Sequence, residues 1–359
     1  MTRTRSPVTA MIIASTMLAS AACTGGSSSE PSTNAAPITT PSTTQTPKPK
    51  PKPKPKPEPK VNPYTGFGPV PQRSTIAVKI DDTAPGRPQV AINKADIVYV
   101  EAVEGGLTRL AAIFGTYHPK AVGYVRSTRP SDPELLIQFG KITEAYSGGA
   151  HDSLPKLYRS GIRSWSNDGG AGFYTRRARA ASSYINLTVN LNGVASQVKT
   201  PHPHDIGWTF ARKLKGLHLH TKKGYTVRTE VTGSYAHGTP VVFHWKRKLN
   251  KYVRFIGGVP QRASSGHFVA ARNVIVQKCR VHSHPRDTDV NGNPSQFTVS
   301  VGRGPAVIFR NGKRIDGTWR RPRYHGGTTW RTKSGKVIPL APGNTWVILI
   351  HKGVPVFAH

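Results

Sequence analysis

The chain has 359 residues and a formal net charge of +34 at pH 7, because 51 lysines and arginines face only 17 acidic residues. With 35 glycines, 31 prolines and 36% hydrophobic residues, the composition favours turns and short strands over long helices. Two cysteines exclude a disulfide scaffold and a cysteine-rich metal centre. A chain this basic is expected to meet anionic partners.

Residues 1–22 have the parts of a secretory signal peptide. Arg3 and Arg5 form a positive start, residues 11–18 (MIIASTML) form an apolar core, and small residues precede Cys23. The apolar run is shorter than the roughly 20 residues that a membrane-spanning helix needs. Small residues directly before a cysteine resemble the bacterial lipoprotein cleavage site, so we expect Cys23 to carry a lipid. The alternative is ordinary cleavage nearby and release of the protein.

Residues 23–63 are predicted to be a disordered tether that follows the lipidated cysteine. They are rich in Ser, Thr, Pro and Lys, end in a Lys-Pro repeat at 48–60, and contain almost no large apolar side chain to bury. Alternating proline favours the extended polyproline II conformation, and the lysines repel one another. The lysines either stay solvated, as in a plain spacer, or lie against anionic polymer or lipid headgroups.

Residues 64–215 combine strand and helix signals, which predicts a mixed α/β domain. Alternating apolar residues indicate strands, with Glu104-Gly105-Gly106 as a turn, and Asp132 is a candidate N-cap before a helix. The predicted elements are strands at 74–81, 97–103 and 107–116, and helices at 133–141, 153–160 and 175–183.

Residues 222–359 contain many short apolar runs separated by turn residues. Asn311-Gly312 and Ser334-Gly335 are hairpin-type dipeptides. Strands are predicted at 225–231, 240–245, 252–256, 273–281, 296–301, 305–310, 326–331, 345–350 and 355–358. We therefore predict an α+β chain, in which a mainly antiparallel β domain follows the α/β domain.

Several short strings carry a resemblance to a known family. They are GRPQ at 86–89, ADIVY at 95–99, EGGLTR at 104–109, VRSTR at 125–129, PH at 201–202, NVIV at 273–276, GTW at 317–319 and PGNTW at 342–346. Their order and spacing resemble the YerB-like lipoproteins, a family of domains of unknown function with an N-terminal and a C-terminal part. The resemblance covers about residues 70–359 and implies an envelope location, without implying a reaction.

A fainter resemblance concerns the first domain alone. A strand ending in AVKIDD, a later strand leading to VRSTR, and EAYSGGA at 144–150 follow one another as in the LytR–CpsA–Psr phosphotransferases. In those enzymes arginines hold a polyprenyl pyrophosphate and acidic residues hold magnesium. The resemblance implies a magnesium-assisted transfer between phosphate-linked glycans and the cell wall.

Four arginines of the first domain fall at predicted strand ends or in adjacent loops. The planar guanidinium fork donates two parallel hydrogen bonds to a phosphate and keeps its charge, so convergence of these side chains would make an anion site. The predicted anion-binding residues are Arg87, Arg109, Arg126, Arg129 and, within the family-like string, His202. The alternative is that arginine–carboxylate pairs simply tie loops together.

Acidic side chains occur in the same segment, although acids are scarce in this chain. Asp82, Asp96 and Glu104 are the expected partners of the arginines, with Asp81 beside them. Carboxylate oxygens are ligands for magnesium, which is therefore the one candidate cofactor. The histidine pairs 202/204, 218/220 and 282/284 are an alternative zinc or copper site, which we do not favour because chance pairs are common among 14 histidines.

Two further residue types have a structural and a functional interpretation. Cys279 lies in an apolar run, which favours a buried thiol over a nucleophile. Trp319, Trp330 and Trp346 are expected in the hydrophobic core, with stacking on sugar rings as the alternative.

These features together predict a membrane-anchored extracytoplasmic lipoprotein that binds an anionic phosphorylated cell-envelope glycan or a lipid-linked phosphate precursor. One alternative is a magnesium-assisted phosphotransferase or hydrolase acting on a polyprenyl-pyrophosphate-linked substrate. The other is a structural factor in envelope assembly. Export makes nucleic acid an unexpected partner.

Overall fold

A computed structural model of the protein describes residues 60–178, 180, 182–214, 222–223, 225–230 and 240–358. All of them belong to one compact unit, Lys56–His359. The predicted signal peptide, Cys23, the tether before residue 60, and the histidines at 218 and 220 lie outside the described residues.

The first part of the chain contains short strands and short helices. Its strands are β1 (Ile76–Asp81), β2 (Ile97–Ala102), β3 (Thr108–Phe114), β4 (Val122–Gly123), β5 (Thr143–Tyr146), β6 (Arg163–Ser166), β7 (Tyr174–Arg176) and β8 (Leu187–Val189). Its α-helices are α1 (Asp132–Leu136), α2 (Ser153–Ser160) and α3 (Leu191–Gln197). Single 3₁₀ turns occupy Ala84–Gly86, Ile92–Lys94, Glu104–Gly106 and Ile137–Phe139.

The three strands predicted for the first part are confirmed as β1, β2 and β3, and the helix predicted at 153–160 is α2. The helix predicted at 133–141 is shorter, because the 3₁₀ turn follows α1 and Gly140 adopts a φ of 77°. The helix predicted at 175–183 is wrong, since β7 occupies its start. Helices are therefore few and short, and the described chain is mostly β.

The second part is built from strands. They are β9 (Lys222–Lys223), β10 (Thr226–Glu230), β11 (Pro240–Lys246), β12 (Lys251–Ile256), β13 (Val259–Pro260), β14 (Ala270–Ala271), β15 (Asn273–Thr288), β16 (Pro294–Val299), β17 (Gly302–Arg310), β18 (Lys313–Arg321), β19 (Thr329–Arg331), β20 (Thr345–His351) and β21 (Phe357–Ala358), with a 3₁₀ turn at Arg247–Leu249. Asn311-Gly312 is the predicted hairpin turn, and both residues have positive φ. The prediction missed β18, because Ile315 and Trp319 are the only large apolar residues in this strand.

One mixed sheet of twelve strands joins the two parts of the chain. Its order is β19-β18-β17-β15-β20-β2-β3-β1-β5-β6, with β16 on β15 and β9 on β18. The late strand β20 is parallel to both its neighbours, so that Ile348 lies between Val276 of β15 and Val100 of β2. The boundary predicted near residue 220 thus separates two segments that share this sheet.

Both faces of this sheet are covered. A six-stranded sheet (β13-β12-β11-β10-β21, with β14) packs on one face, where Phe243 meets Trp346 edge-on at 5.5 Å. The three-stranded sheet β4-β8-β7 adds to the same core. On the other face, α1 and α2 contribute Leu135 and Leu157 to a second core.

The residues predicted for the core are in it. Trp319, Trp330 and Trp346 are buried, which confirms the core interpretation over sugar stacking. Cys279 is a buried free thiol, as predicted, and burial raises its pKa to about 12.

Candidate functional site

Charged side chains collect where β1 and β2 end and β3 begins, a region that we call the charged edge. It comprises Asp81, Asp82, Arg87, Glu104, Arg109, Arg126, Arg129 and Arg254. The antiparallel pairing of β1 with β3 sets Asp81 directly opposite Arg109. Since consecutive residues of a strand point to opposite faces, the pair Asp81-Asp82 divides the charged edge into two sides.

On the helix side, one carboxylate serves two arginines. Oδ2 of buried Asp81 lies 3.2 Å from Nε of Arg126 and 3.5 Å from Nη2 of Arg109. Oδ1 of Asp81 accepts hydrogen bonds from the backbone and hydroxyl of Thr83. The Arg126 side chain is 34% exposed, and no described residue accepts a hydrogen bond from its two terminal nitrogens. A single carboxylate cannot neutralise two guanidinium groups, so positive charge remains where solvent reaches.

A second ion pair lies beside the first on the same side. Nε of Arg129 is 2.5 Å from Oε1 of Glu104, and the hydroxyl of Ser295, from β16, donates to the same oxygen. Burial opposes ionisation of Glu104, but Arg129 and Ser295 together outweigh it and hold the pKa of this carboxyl below its ordinary value. Strand β16 of the second part therefore contributes to the charged edge.

On the other side, Asp82 is held by the six-stranded sheet. Its two oxygens lie 2.7 Å from the two terminal nitrogens of Arg254, which is buried over Trp346. Thr108 also donates to Asp82, at 2.8 Å, and Arg87 lies 3.7 Å away. Burial would raise the pKa of Asp82, but the attraction of Arg254 outweighs it and lowers that pKa.

The four predicted arginines thus reach the same edge but not one pocket. Arg109, Arg126 and Arg129 meet around Asp81 and Glu104 on the helix side, whereas Arg87 donates to the backbone oxygen of Asp82.

Two predicted site residues lie elsewhere, contrary to the prediction. Asp96 directly precedes β2, and its Oδ2 accepts hydrogen bonds from the backbone of Gly115 and Thr116 at 2.7 and 2.8 Å. Burial raises the pKa of this carboxyl. His202 is exposed, next to Pro201, whose oxygen accepts from the backbone of Thr75 just before β1. A six-residue strand spans about 20 Å, so both lie far from the charged edge.

A buried polar cluster under α1 was not predicted. It consists of Lys79, Glu101, Asp132 and Glu144. Nζ of Lys79 contacts Glu101 and lies 2.8 Å from Oδ1 of Asp132. Burial, reinforced by the charge of Asp132, raises the pKa of Glu101 to about 8 and that of Glu144 well above its ordinary value. Charged residues inside the apolar runs AVKID and IVYVEA were the sequence signal for this cluster.

The carboxylates of the charged edge do not fit a magnesium site. Both oxygens of Asp82 accept from Arg254, and Glu104 is taken by Arg129 and Ser295. In the part of the chain that the structure describes, no group of three or more His, Cys, Asp or Glu side chains is arranged to hold a metal ion.

Comparison with known proteins identifies the family and the fold. Residues 64–203 match the family profile "Protein of unknown function (DUF3048) N-terminal domain", and residues 230–347 match its C-terminal domain. "Putative lipoprotein YerB" of Bacillus subtilis (strain 168) is 26% identical over 302 residues, which cover 78% of this chain and 82% of that protein. The crystal structure of YerB protein from Bacillus subtilis has a TM-score of 0.68 at 23% identity, covering 82% of this chain and 98% of that chain. The family resemblance noted in the sequence is thereby confirmed.

Among the described residues, no helix has the length and apolar character to cross a membrane.

Proposed function

The chain belongs to the DUF3048 family, described as of unknown function, and from its site we propose that it is a membrane-anchored extracytoplasmic protein that binds a phosphorylated anionic glycan or lipid-linked phosphate of the cell envelope. The family relative named as a lipoprotein and the signal-like start before Cys23 support the location. The charged edge supports the ligand class.

The observation that carries this proposal is the sharing of Asp81 by Arg109 and Arg126. The guanidinium of Arg126 uses only Nε toward the protein, at 3.2 Å from Asp81, and its side chain is one-third exposed. Its two terminal nitrogens form the fork that holds phosphate oxygens in parallel. The hydroxyls of Ser127 and Ser147, 3.3 Å apart in the adjoining loops, are further donors. A phosphate here would meet positive charge that the protein leaves uncompensated.

The distribution of charge over the molecule supports the same ligand class. Eight of the 17 acidic residues are buried, whereas only five of the 51 lysines and arginines are buried in the described parts of the chain. Hiding the acids leaves a surface dominated by cations. Such a surface attracts polyanions at long range and raises their rate of association.

The test is a titration of Arg126→Ala with a phosphorylated wall polymer and with a soluble polyprenyl pyrophosphate analogue. One charge-assisted pair is worth about 1.5–3 kcal/mol, so the variant should bind roughly 10- to 100-fold more weakly. The matched control is Arg163→Ala, because Arg163 is also an exposed arginine. It begins β6, level with the start of β1, so it lies at the strand ends opposite the charged edge. Parent-like binding by Arg126→Ala would exclude the charged edge as the site.

Magnesium separates binding from the phosphotransferase alternative. We expect the same affinity with and without magnesium, since the carboxylates of the charged edge are engaged by arginines.

For the anchor, Cys23→Ala should release the protein from the membrane fraction, because a diacyl chain pair gives the stable attachment that one chain does not. Retention of this variant in the membrane would contradict lipidation at Cys23.

A further inference from the structure

A cavity of about 360 Å³ opens between α1, α2 and the loop that follows β18. Its walls include Glu134, Lys156, Arg159, Phe297, Tyr324 and His325, so both parts of the chain contribute. Pro130 also lines it, next to Arg129, whose guanidinium turns away toward Glu104. The cavity is therefore a neighbour of the charged edge rather than part of it.

Two cationic side chains stand on one helix at the wall of this cavity. Lys156 is half-buried, with Nζ 2.6 Å from Nε2 of His284 and 5.2 Å from the ring centre of Phe297. An ammonium group only donates, so the ring nitrogen of His284 is the acceptor of this bond. Burial lowers the pKa of Lys156. Arg159, exposed on the next turn of α2, adds a second cationic side chain.

Among the described residues that line the cavity, Glu134 is the one carboxylate, and the backbone satisfies part of its hydrogen-bonding capacity. Oε1 of Glu134 accepts hydrogen bonds from the backbone of Ser300 and Val301, at 2.6 and 3.0 Å, and from the Ser300 hydroxyl at 3.1 Å. Within the described residues nothing donates to its second oxygen, Oε2. This oxygen is an acceptor suited to a ligand hydroxyl, while Lys156 and Arg159 suit a ligand acid.

Aromatic rings complete the lining. Phe297 is partly exposed and Tyr324 is 39% exposed, with the ring of His325 edge-on to Tyr324 at 5.2 Å. Apolar walls with a few placed polar groups are typical of small-ligand sites, and a volume near 300 Å³ is the lower end of their range. Aromatic faces combine a large apolar area with a fixed orientation.

We propose that this cavity binds a single sugar unit bearing an acidic group, either a carboxylate or a phosphate. The aromatic rings contact the apolar face of the sugar, Glu134 Oε2 accepts from a hydroxyl, and Lys156 with Arg159 binds the acid. The inference goes beyond the proposed function, because it concerns a second site with its own residues and does not require Arg126.

The experiment is a calorimetric titration of the full chain with glucuronate, glucose 6-phosphate and glucose. Both acidic sugars should bind at least about tenfold more tightly than glucose, since each charge-assisted bond is worth that factor or more. Arg159→Ala should weaken binding of the acidic sugars about tenfold and leave glucose unchanged, whereas Phe297→Ala should weaken all three. Equal affinity for the acidic and neutral sugars would overturn the proposal.

Two controls separate this site from its surroundings and from the charged edge. Tyr158→Ala removes an aromatic ring that is 58% exposed on the same helix and does not line the cavity, so binding should not change. Arg126→Ala should also leave sugar binding unchanged, even if it abolishes polymer binding. Loss of sugar binding in Arg126→Ala, with parent-like binding in Arg159→Ala, would assign the sugars to the charged edge and refute the cavity site.

Discussion

Asp81 and Asp82 are neighbours in sequence, yet the two sides of the charged edge treat them differently. Asp82 is enclosed and receives both terminal nitrogens of a buried arginine, Arg254, at 2.7 Å each. Asp81 is equally buried but shares one oxygen between Arg109 and Arg126, at longer distances, and Arg126 is one-third exposed. The Asp82–Arg254 pair is buried and bidentate, whereas on the Asp81 side the terminal nitrogens of Arg126 remain available as donors.

This difference separates a structural ion pair from a candidate binding site. Arg254 belongs to β12 in the six-stranded sheet, so its pair with Asp82 ties the two parts of the chain together. Both terminal nitrogens of Arg254 donate to Asp82, and burial keeps the rest of this guanidinium away from a ligand. The sequence-based alternative, in which arginine–carboxylate pairs tie loops together, therefore describes the Asp82 side, and the proposed anion site occupies the Asp81 side.

The largest expected effect on stability tests the Asp82 side of the charged edge. Arg254→Ala leaves Asp82 buried without its bidentate partner, and removing one member of a buried ion pair typically lowers the free energy of unfolding by about 3–5 kcal/mol. Urea unfolding at neutral pH measures this loss. The double variant Asp82→Asn/Arg254→Met removes both charges and should recover part of it. A loss below about 1 kcal/mol for Arg254→Ala would show that the pair does not hold the two parts together.

An intermediate effect is the pH dependence of stability that the buried polar cluster under α1 produces. Glu101 has an ordinary pKa of 4.5, which applies to the unfolded chain, and a pKa of about 8 in the folded protein. Between these values the folded state holds a proton that the unfolded state has lost. Stability therefore falls as pH rises from 4.5 to 8, by up to about 1.4 kcal/mol per pH unit.

Glu101→Gln should flatten this pH dependence, because an amide does not titrate. Urea unfolding midpoints of the parent and the variant, measured from pH 5 to pH 8, provide the comparison, and the variant should be the more stable at pH 8. Identical slopes for the two proteins would mean that Glu101 does not hold its proton in the folded state.

The smallest effect on stability is expected on the Asp81 side of the charged edge. Arg126 is partly exposed and has one ionic contact, so Arg126→Ala should change the free energy of unfolding by no more than about 0.5 kcal/mol. Thermal unfolding measures this, alongside the large loss expected for Arg254→Ala. If both variants lose several kcal/mol, Arg126 is a structural residue like Arg254 and the distinction between the two sides disappears.

Local patterns predicted the parts of the charged edge that depend on neighbours in sequence. Apolar alternation located β1, β2 and β3, and the glycines of Glu104-Gly105-Gly106 indicated the turn between the last two. Four arginines were predicted at strand ends or in adjacent loops, and three of them, Arg109 at the start of β3 and Arg126 and Arg129 after β4, meet around Asp81 and Glu104. Asp96 was misplaced because its position at the start of β2, rather than the end, puts it at the opposite edge of the sheet.

The sequence by itself determined that Asp81 and Asp82 would point to opposite faces, because the side chains of a strand alternate. It also determined the family, through the short strings shared with it. Only the tertiary structure decided which cation each acid meets. Arg254 is 172 residues from Asp82 in the chain, and β20 enters the sheet between β15 and β2. Such contacts depend on the packing of whole sheets, which no short-range pattern encodes.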